Sequence, residues 1–382
     1  MLGLGSNITG ISKVGTTIVT DNLVLRHDYK MRAAEPLSSG AAVLDGDADL
    51  ITIGDVFTFG TDDFSITAWV KVNTASTQTG ESYIISKIID ANNTIKLAYK
   101  FSVNKFIITV KNDGNSIVGN GTDTGITSAM ENEWIHVAAT CDRNGKTKIY
   151  VNGSTDTYGF SGNSLSTTED IDSSGDWVIG GNGSGSFGNF DGKICNVGIW
   201  KGEVLSQAQV KSIMNKNYDS LSASEKTDLV SWWNLDETLG DKGIVLDKDG
   251  AIGENLLDNA DFANGQDDWG GFGSGNTTLL NGVVTLDGTS GVAQLGQGIL
   301  TNGSTYEVEF TITDHNGDAT NSEIIDNSGG SLFAIPGNGV YKIHFTLAYD
   351  NANITFRAKT GSKFSISNIS VKLVNGNHGT LS

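Results

Sequence analysis

The chain has 382 residues, with 49 glycines, only two prolines and a formal net charge of −19 at pH 7. Its hydrophobic content of 38% is enough for packed cores, which argues against global disorder. The acidic balance argues against a nucleic-acid partner, because an acidic surface repels polyanions and no cluster of Lys and Arg accompanies exposed aromatic residues.

Residues 1–40 are rich in glycine and serine and are predicted to form an arm. The segment has two short strand-like patches, Thr16–Thr20 and Leu23–Arg26, which are too short to bury a core alone. Because Met1–Asn7 lacks the basic and apolar regions of a signal peptide, we expect a protein made in the cytosol. No run of 18 apolar residues occurs, so we expect no membrane insertion.

Short strands are predicted from residue 41 to residue 236. Phe64–Val72 and Trp134–Cys141 alternate apolar and polar residues, and this period of two is typical of strands. Asp142–Lys146 supplies a turn before Lys148–Gly153, since Asn and Gly tolerate positive φ. Repeated short strands at this spacing predict an antiparallel β-sandwich over residues 41–236.

Four pieces of this region resemble laminin-G-like domains of the concanavalin A-like type. They are the Leu44–Gly46 opening, the Phe64–Val72 strand, the Trp134–Gly153 hairpin and the Gly192–Trp200 strand. The resemblance implies a binding module rather than an enzyme, and it implies a core position for His136. A glycosidase on such a fold would need paired carboxylates on one strand face. The nearest acidic segment, Glu169–Asp176, has the wrong spacing and is interpreted as a solvated loop.

A short helix and a linker are predicted after these strands. Ser206 and Gln209 match a capping box at the start of a helix over Ser206–Asn217. Leu229–Leu235 is predicted to be the last strand of the first domain. Residues 237–253 are rich in Asp, Gly and Lys and are predicted to be a linker.

A second, smaller jelly roll is predicted over residues 254–376, with residues 377–382 as a tail. Asn255–Phe262 followed by Trp269 resembles the opening of carbohydrate-binding jelly rolls of the galactose-binding-like type, and Phe364–Val371 resembles their closing strand. Asn368 stands where that family commonly has Asp, which in some members helps to hold a structural calcium ion.

Three segments resemble virion proteins of tailed phages, particularly marine ones. They are Met1–Ser6, Leu221–Glu237 and Asn255–Phe262. The resemblance implies a place on a phage particle, and it agrees with the missing signal peptide.

Sugar binding by such folds uses an exposed aromatic residue for stacking and amide or carboxylate groups for hydroxyls. The tryptophans on predicted strands are expected in the core. The candidate glycan-binding residues therefore come from predicted loops: Tyr158, Phe160, Asn182, Phe187, Phe190, Phe272 and Phe333.

No cofactor is required by this interpretation, and calcium is the metal left open. Asp45, Asp47 and Asp49 have the spacing with which an EF-hand loop begins. Leu50 and Val56 stand where that loop needs Gly and Glu, so an EF-hand is excluded. A looser calcium site of carboxylate, carbonyl and water oxygens at the three aspartates remains an alternative.

The two cysteines, Cys141 and Cys195, lie on predicted strands that could be neighbours. They form either a disulfide or two buried small hydrophobic residues. The five histidines are scattered, and neither they nor the cysteines show the spacing of a zinc site.

These patterns predict a non-catalytic phage virion protein, as a fibre, tail appendage or capsid decoration. Its lectin-like modules would adhere to cell-surface or environmental polysaccharide, and residues 1–40 would attach it to other virion proteins. A homo-oligomer is expected, in which weak sites gain from multivalent display. The alternative is a purely structural virion spacer without a ligand. A glycoside hydrolase ranks below both, because the sequence lacks a catalytic pair.

Overall fold

The computed structural model shows an all-β protein built from antiparallel β-sandwiches, as the sequence predicts. Residues 115–121, 155, 157–162 and 272 are described by their backbone alone. The structure describes residues 35–73, 75–76, 79–90, 92–112, 115–121, 132–143, 147–155, 157–162, 170–171, 174–183, 187–236, 243–316, 320–326, 328–348 and 353–381. Most of the predicted arm, residues 1–34, therefore lies outside the described residues.

The first sandwich takes its strands from both ends of the described chain. They are β1 (Ala42–Asp45), β2 (Ile51–Gly54), β3 (Phe64–Val72), β4 (Glu81–Ile88), β5 (Thr94–Lys100), β6 (Lys105–Asn112), β7 (Asn115–Gly121), β8 (Ile135–Cys141), β9 (Thr147–Val151), β10 (Ser154–Thr155), β11 (Thr157–Gly162), β12 (Trp177–Ile179), β13 (Asp191–Lys201), β14 (Leu229–Trp233), β15 (Ile244–Val245) and β27 (Gly379–Leu381).

These strands form two facing sheets. Within the described residues, one sheet has seven strands in the order β1-β13-β3-β8-β9-β10, with β14 beside β13. The other has nine, in the order β11-β7-β6-β5-β4-β12-β2-β27-β15. Alternate apolar side chains of both sheets meet in one core, which includes Phe64 of β3, Leu97 of β5 and Ile108 of β6. The period of two in the sequence thus corresponds to the alternate side chains that fill the interior of the sandwich.

The outer face of the seven-stranded sheet is covered by the helix α1 (Gln207–Ile213). The predicted capping box is present: Gln209 N–H donates to Ser206 Oγ, and Ser206 N–H donates to Gln209 Oε1 at 2.8 Å. Val210 and Ile213 are buried against a cluster that includes Trp200. The helix therefore covers the part of this outer face that includes Ala138, Tyr150 and Trp200.

The second sandwich is smaller and has its own core. Its strands are β16 (Ile252–Asn255), β17 (Gly270–Phe272), β18 (Asn276–Leu280), β19 (Val283–Asp287), β20 (Ala293–Gly298), β21 (Thr305–Thr313), β22 (Ser322–Asp326), β23 (Ser331–Ala334), β24 (Gly339–Thr346), β25 (Asn353–Ala358) and β26 (Lys363–Val374). One sheet runs β18-β19-β26-β21-β24, with β16 beside β26, and the other runs β17-β20-β25-β22-β23. Trp269, Val308 and Phe356 lie in the core between them.

The second sandwich is inserted between two strands of the first. Its ends lie side by side, because Asn375 N–H donates to Ala251 O at 3.0 Å and Ile252 pairs with Val374. After β26 the chain returns, and β27 pairs with both β2 and β15 of the nine-stranded sheet.

The structure differs here from the linker and the tail expected from the sequence. Residues 237–253 include β15, and residues 377–382 include β27, so both segments contribute strands to the first sandwich. Strands of two and three residues are too short to show an alternation, which is why the pattern gave no sign of them.

Two further observations concern the state of the cysteines and the character of the helices. Cys141 and Cys195 are free, buried thiols on β8 and β13, strands that flank β3 on opposite sides. Burial raises the pKa of each thiol to about 12, which makes both inert as nucleophiles. Among the described residues, no helix has the length and apolar character to cross a membrane.

Candidate functional site

The outer face of the nine-stranded sheet carries the side chains of β4, β5 and β6 that point away from the core. On β5, Ile95, Leu97 and Tyr99 point into the core, so Lys96 and Ala98 point outward. Ala98 forms a small outer cluster with Tyr83 and Ile107, its cross-strand partners on β4 and β6. A candidate site can therefore form on this face without disturbing the core.

A bulge in β4 places Tyr83 on the outer face. The register of β4 against β5 shifts between Tyr83 and Ile85, and the two consecutive residues Ile84 and Ile85 both point into the core. Strict alternation would have turned Tyr83 inward. A bulge changes the direction of the neighbouring side chains, and here it turns the ring of Tyr83, which is 6% exposed, towards the groove.

A loop between β12 and β13 forms one side of this face and is fixed to β4 by hydrogen bonds. Gly180 N–H donates to Ile84 O at 3.0 Å, and Ser86 Oγ donates to Gly181 O at 2.6 Å. On the other side of the loop, Tyr83 N–H donates to Gly188 O at 2.7 Å. The loop is thus held at both of its described ends, next to Phe187.

The loop and the strands enclose a cavity of about 490 Å³, within the ~300–1,000 Å³ that is usual for ligand sites. Phe187 is 58% exposed at this cavity, and its ring lies edge-on to the Tyr83 ring at a centroid distance of 6.4 Å. We call this feature the outer-face groove. The residues that line it are Tyr83, Ile88, Ile89, Asp90, Thr94, Lys96, Lys111, Asn182 and Phe187.

Polar groups surround the two rings. Lys96 Nζ lies 4.7 Å from the centroid of the Tyr83 ring and 2.6 Å from Glu81 Oε2. Asp90 accepts the backbone N–H groups of Asn92 and Asn93 at 2.7 and 2.9 Å, and these bonds lower the pKa of its carboxyl group. Asp90 is therefore a charged acceptor, ready to take hydrogen bonds from hydroxyl groups.

The groove depends on Gly188, and replacing this residue by Ala is expected to damage both fold and site. Gly188 has φ +74°, and a Cβ there would lie 2.4 Å from the Tyr83 ring. We expect Gly188→Ala to lower the free energy of unfolding by about 2 kcal/mol, as measured by chemical denaturation.

Gly202→Ala is the matched control for this measurement. Gly202 also has a positive φ, +93°, but a Cβ there would meet nothing within 4 Å. It should therefore show only the backbone cost, about 1 kcal/mol. Equal losses for the two variants would contradict a tight contact between loop and Tyr83.

The other predicted sugar-binding residues are not among those that line this groove, and the side chains of some of them lie outside the described residues. Phe190 is 1% exposed and belongs to the first core, so it cannot stack on a sugar. Phe333 lies on β23 rather than in a loop and packs against Phe310 and Tyr341 of the second sandwich. Phe190 is therefore excluded as a stacking surface, whereas for half-buried Phe333 only the predicted loop position is wrong and the binding role stays a prediction.

Three more of these residues are known only by their backbone. Tyr158 and Phe160 lie on β11, next to β7, instead of in a loop. Phe272 lies on β17 and pairs with Gln294 of β20. Their side chains lie outside the described residues.

Asp45, Asp47 and Asp49, which the sequence suggested as a calcium site, do not form a cluster of metal ligands in the described part of the structure. Asp45 N–H donates to Asp49 Oδ2 at 3.3 Å, and Asp47 N–H donates to Asp45 Oδ1 at 2.9 Å. Two of the carboxylates thus serve the local turn. Across the part of the chain that the structure describes, no three His, Cys, Asp or Glu residues lie close enough to hold a metal ion. A looser site that adds carbonyl and water oxygens at these aspartates stays a prediction.

Sequence reasoning missed most of the groove lining. Asn182 and Phe187 were among the candidates, whereas Tyr83, Ile89 and Lys96 were not. The outward positions of β5 and β6 could have been found from their alternation with core residues. The outward position of Tyr83 could not be found in this way, because the bulge that turns it outward breaks the alternation.

The fold is consistent with concanavalin A-like jelly-roll sandwiches, and the outer-face groove is a cavity on the nine-stranded sheet. Residues 45–211 match the Laminin_G_3 family, described as "Concanavalin A-like lectin/glucanases superfamily". The first sandwich is thus similar to domains of this superfamily over residues 45–211, which make up less than half of the chain. No curated protein matches the chain.

Several solved structures show distant likeness to parts of the chain. Domain 4 of AbnA, a GH43 extracellular arabinanase from Geobacillus stearothermophilus in complex with arabinotriose, is 23% identical over 46% of this chain and 76% of that chain, with a TM-score of 0.34. Domains LG4-5 of the mouse laminin alpha1 chain are 14% identical over 44% of this chain and 46% of that chain, with a TM-score of 0.34.

A third likeness is to full-length tailspike protein 2 of the Escherichia coli O157:H7 bacteriophage CAB120. It is 12% identical over 57% of this chain and 31% of that chain, with a TM-score of 0.36. The chain therefore spans less than half of the laminin and tailspike structures.

Proposed function

We propose that the first sandwich binds glycans in the outer-face groove. The observation that carries the proposal is Phe187, which is 58% exposed at a cavity lined by polar groups and held beside Tyr83 by a hydrogen-bonded loop. A large aromatic ring left in water loses the free energy that its burial would supply, about 2 kcal/mol. A sugar ring that covers Phe187 would recover that free energy.

The polar lining suits the hydroxyl groups of such a ligand. Asp90 offers carboxylate oxygens, Asn182 an amide and Lys96 an ammonium group around one cavity. Binding sites for small polar molecules combine an apolar surface with a few well-placed polar groups of this kind.

We propose that binding occurs without hydrolysis. A glycosidase needs two carboxyl groups, one of which keeps its proton at neutral pH. Among the described residues that line the groove, Asp90 is the one carboxylate, and hydrogen bonds lower its pKa. It is therefore poorly suited to act as a general acid.

We propose further that the chain is a virion component that adheres to cell-surface or environmental polysaccharide. Support comes from the sequence segments that resemble virion proteins of tailed phages, and residues 1–40 would make the attachment. The second sandwich would act as a galactose-binding-like carbohydrate-binding module, supported by the resemblance of Asn255–Phe262. Copies of the chain on one particle would raise the apparent affinity through multivalency.

The test is binding of the purified chain to a panel of bacterial and algal surface polysaccharides. For each polysaccharide that binds, Phe187→Ala is expected to weaken the affinity about tenfold, because it removes the stacking surface. Phe187→Trp should retain binding. Val340→Ala is the matched control, since Val340 is 81% exposed on β24 of the second sandwich.

The same panel separates the alternatives. Release of free sugars would show a glycoside hydrolase, and loss of binding in EDTA would show a role for a metal ion. Unchanged affinity of Phe187→Ala for every bound polysaccharide would overturn the groove as the site. Absence of binding to every polysaccharide of the panel would favour a structural virion spacer without a ligand.

A further inference from the structure

The outer-face groove has an apolar side as well as a polar one. Phe187 is 58% exposed at the cavity, and Ile89, which lines the same cavity, is 46% exposed. Large hydrophobic side chains that are exposed singly are common on protein surfaces, but two of them at one cavity indicate a surface that a ligand covers. Under the proposed function a sugar ring covers Phe187, which leaves the exposure of Ile89 without an explanation.

The backbone around Ile89 holds this residue in place. Strand β4 ends at Ile88, and Ile89 N–H then donates to Asn93 O at 3.1 Å across the turn to β5. Ile89 also lies against Gly175, where a Cβ would come within 3.2 Å of Ile89 Cγ1. The side chain is therefore supported by the protein and exposed at the cavity, so a contact with it costs little ordering on binding.

The neighbours of Ile89 extend the apolar side of the groove. Ile88 lines the same cavity and packs against the outer cluster that includes Tyr83. Neither isoleucine side chain can form a hydrogen bond, and the hydroxyl group of nearby Thr94 donates to Asp90 O at 2.8 Å. This part of the cavity thus suits an apolar group of a ligand.

Few sugars can offer such a group beyond the faces of their rings. A hexose carries a hydroxyl or hydroxymethyl group at most of its ring carbons, and one of these held against isoleucine would lose water without gaining a partner. A methyl group at the same place buries apolar surface and favours binding. Two kinds of sugar carry one: 6-deoxyhexoses, at C6, and N-acetylated amino sugars, in the acetamido group.

Resting on the proposed function, we propose that the groove selects sugars that carry a methyl group. The methyl group packs against Ile89 while the sugar ring covers Phe187. The hydroxyl groups of the ring face the polar side of the cavity, where Asp90 and Asn182 lie. Burial of one methyl group changes an affinity about fourfold, and the hydroxyl that no longer loses its partner adds to this, so the expected preference is about tenfold.

The experiment compares matched sugars displayed at one density on one polyacrylamide backbone. Each series contains a parent hexose, its 6-deoxy form and its 2-acetamido form, in the gluco, galacto and manno configurations of both the D and the L sugars. The full wild-type chain is expected to bind a methyl-bearing sugar about tenfold more tightly than its parent in at least one series.

Variants of Ile89 connect this preference to the groove. Ile89→Thr, which replaces part of the aliphatic side chain by a hydroxyl group, should reduce the preference to about twofold or less, whereas Ile89→Val should keep most of it. Ile252→Thr is the matched control, because Ile252 is 53% exposed on β16 of the second sandwich and undergoes the same change outside the groove. It should leave the preference unchanged.

The outcomes separate the two kinds of sugar and the two proposals. A preference for the 6-deoxy form or for the 2-acetamido form alone identifies which methyl group the groove selects. Equal or absent binding of parent and methyl-bearing sugars in every series would overturn the inference, as would equal preferences in Ile89→Thr and Ile252→Thr. The proposed function fails separately, when Phe187→Ala leaves the affinity for every polysaccharide of the panel unchanged.

Discussion

Deleting residues 377–382 is expected to lower the melting temperature of the first sandwich by about 10 °C or more. The segment lies beyond the second sandwich in the chain, yet Asn377 is bonded to the first. Asn377 N–H donates to Asp247 Oδ2 at 2.9 Å, and its side chain donates to Val230 O and Ser231 Oγ. The indole N–H of Trp233 donates to Asn377 O at 2.8 Å.

The size of this effect follows from what the deletion leaves unpaired. Asp247 is 2% exposed, and burial raises its pKa to about 6 although Trp232 and Asn377 donate to it. Each buried polar group left without a partner costs about 1–3 kcal/mol. The loss of β27 from the sheet adds to this, so several kcal/mol of a usual 5–15 kcal/mol disappear.

If the chain that lacks residues 377–382 does not fold, point variants test the same prediction. Asn377→Ala should lower the melting temperature clearly, whereas Asn375→Ala should not, because the side chain of exposed Asn375 makes a single long bond to Ala251 O at 3.3 Å. Calorimetry of the full-length wild type and of the two point variants measures these melting temperatures. A deletion variant that melts like the wild type would contradict the role of the returning segment.

Removal of the second sandwich is expected to leave the first sandwich folded, in contrast to the deletion of residues 377–382. Asn375 N–H and Ala251 O are 3.0 Å apart, so a short glycine linker can join Gly250 to Gly376 without strain. The first sandwich should then fold alone and keep the groove. Domains whose two ends are adjacent tolerate such removal.

Acid is expected to destabilise the protein through His136, in the range between pH 6.5 and pH 4.5. The ring is 1% exposed against Trp69 on the outer side of the seven-stranded sheet, and burial lowers its pKa to about 3. The unfolded chain takes up a proton as the pH falls through about 6.5, but the folded chain does not. The stabilisation is therefore complete above pH 6.5 and is lost as the pH falls towards 3, by roughly 3 kcal/mol at pH 4.5.

His136→Leu separates this contribution from other titrating groups. Among the described residues, the Nδ1 atom of His136 has no hydrogen-bond partner, so Leu loses no such bond at that atom. Unfolding free energies at pH 7 and pH 4.5 should differ by about 3 kcal/mol less in the variant than in the wild type. His378, whose pKa burial also lowers, and Asp247, whose pKa is raised, contribute equally to both chains. Identical pH dependence in the two chains would contradict a neutral, buried His136.

The sequence was enough to predict the class of the fold and much of its first core. Strands such as Phe64–Val72 were visible because their alternation is long, and the start of the helix was visible because Ser206 and Gln209 form a local capping box. Phe187 was a candidate because it lies in a glycine-rich segment between strands, but the same reasoning was wrong for Phe190, which lies in the core.

What the sequence could not predict depends on contacts between distant residues. Tyr83 faces the groove only because a bulge shifts the register of β4. The return of β27 depends on Asp247 and Asn377, which are 130 residues apart. No local pattern records either of these features, since each is set by pairing across the sheet.

The most direct test of the glycan site is hydrogen exchange of the full chain with and without a polysaccharide that it binds. The groove predicts slower amide exchange in β4, β5 and β6 and in residues 187–190, and a smaller slowing in Phe187→Ala at a polysaccharide concentration near the wild-type dissociation constant. Protection confined to the second sandwich or to the seven-stranded sheet would contradict the groove as the site of glycan binding.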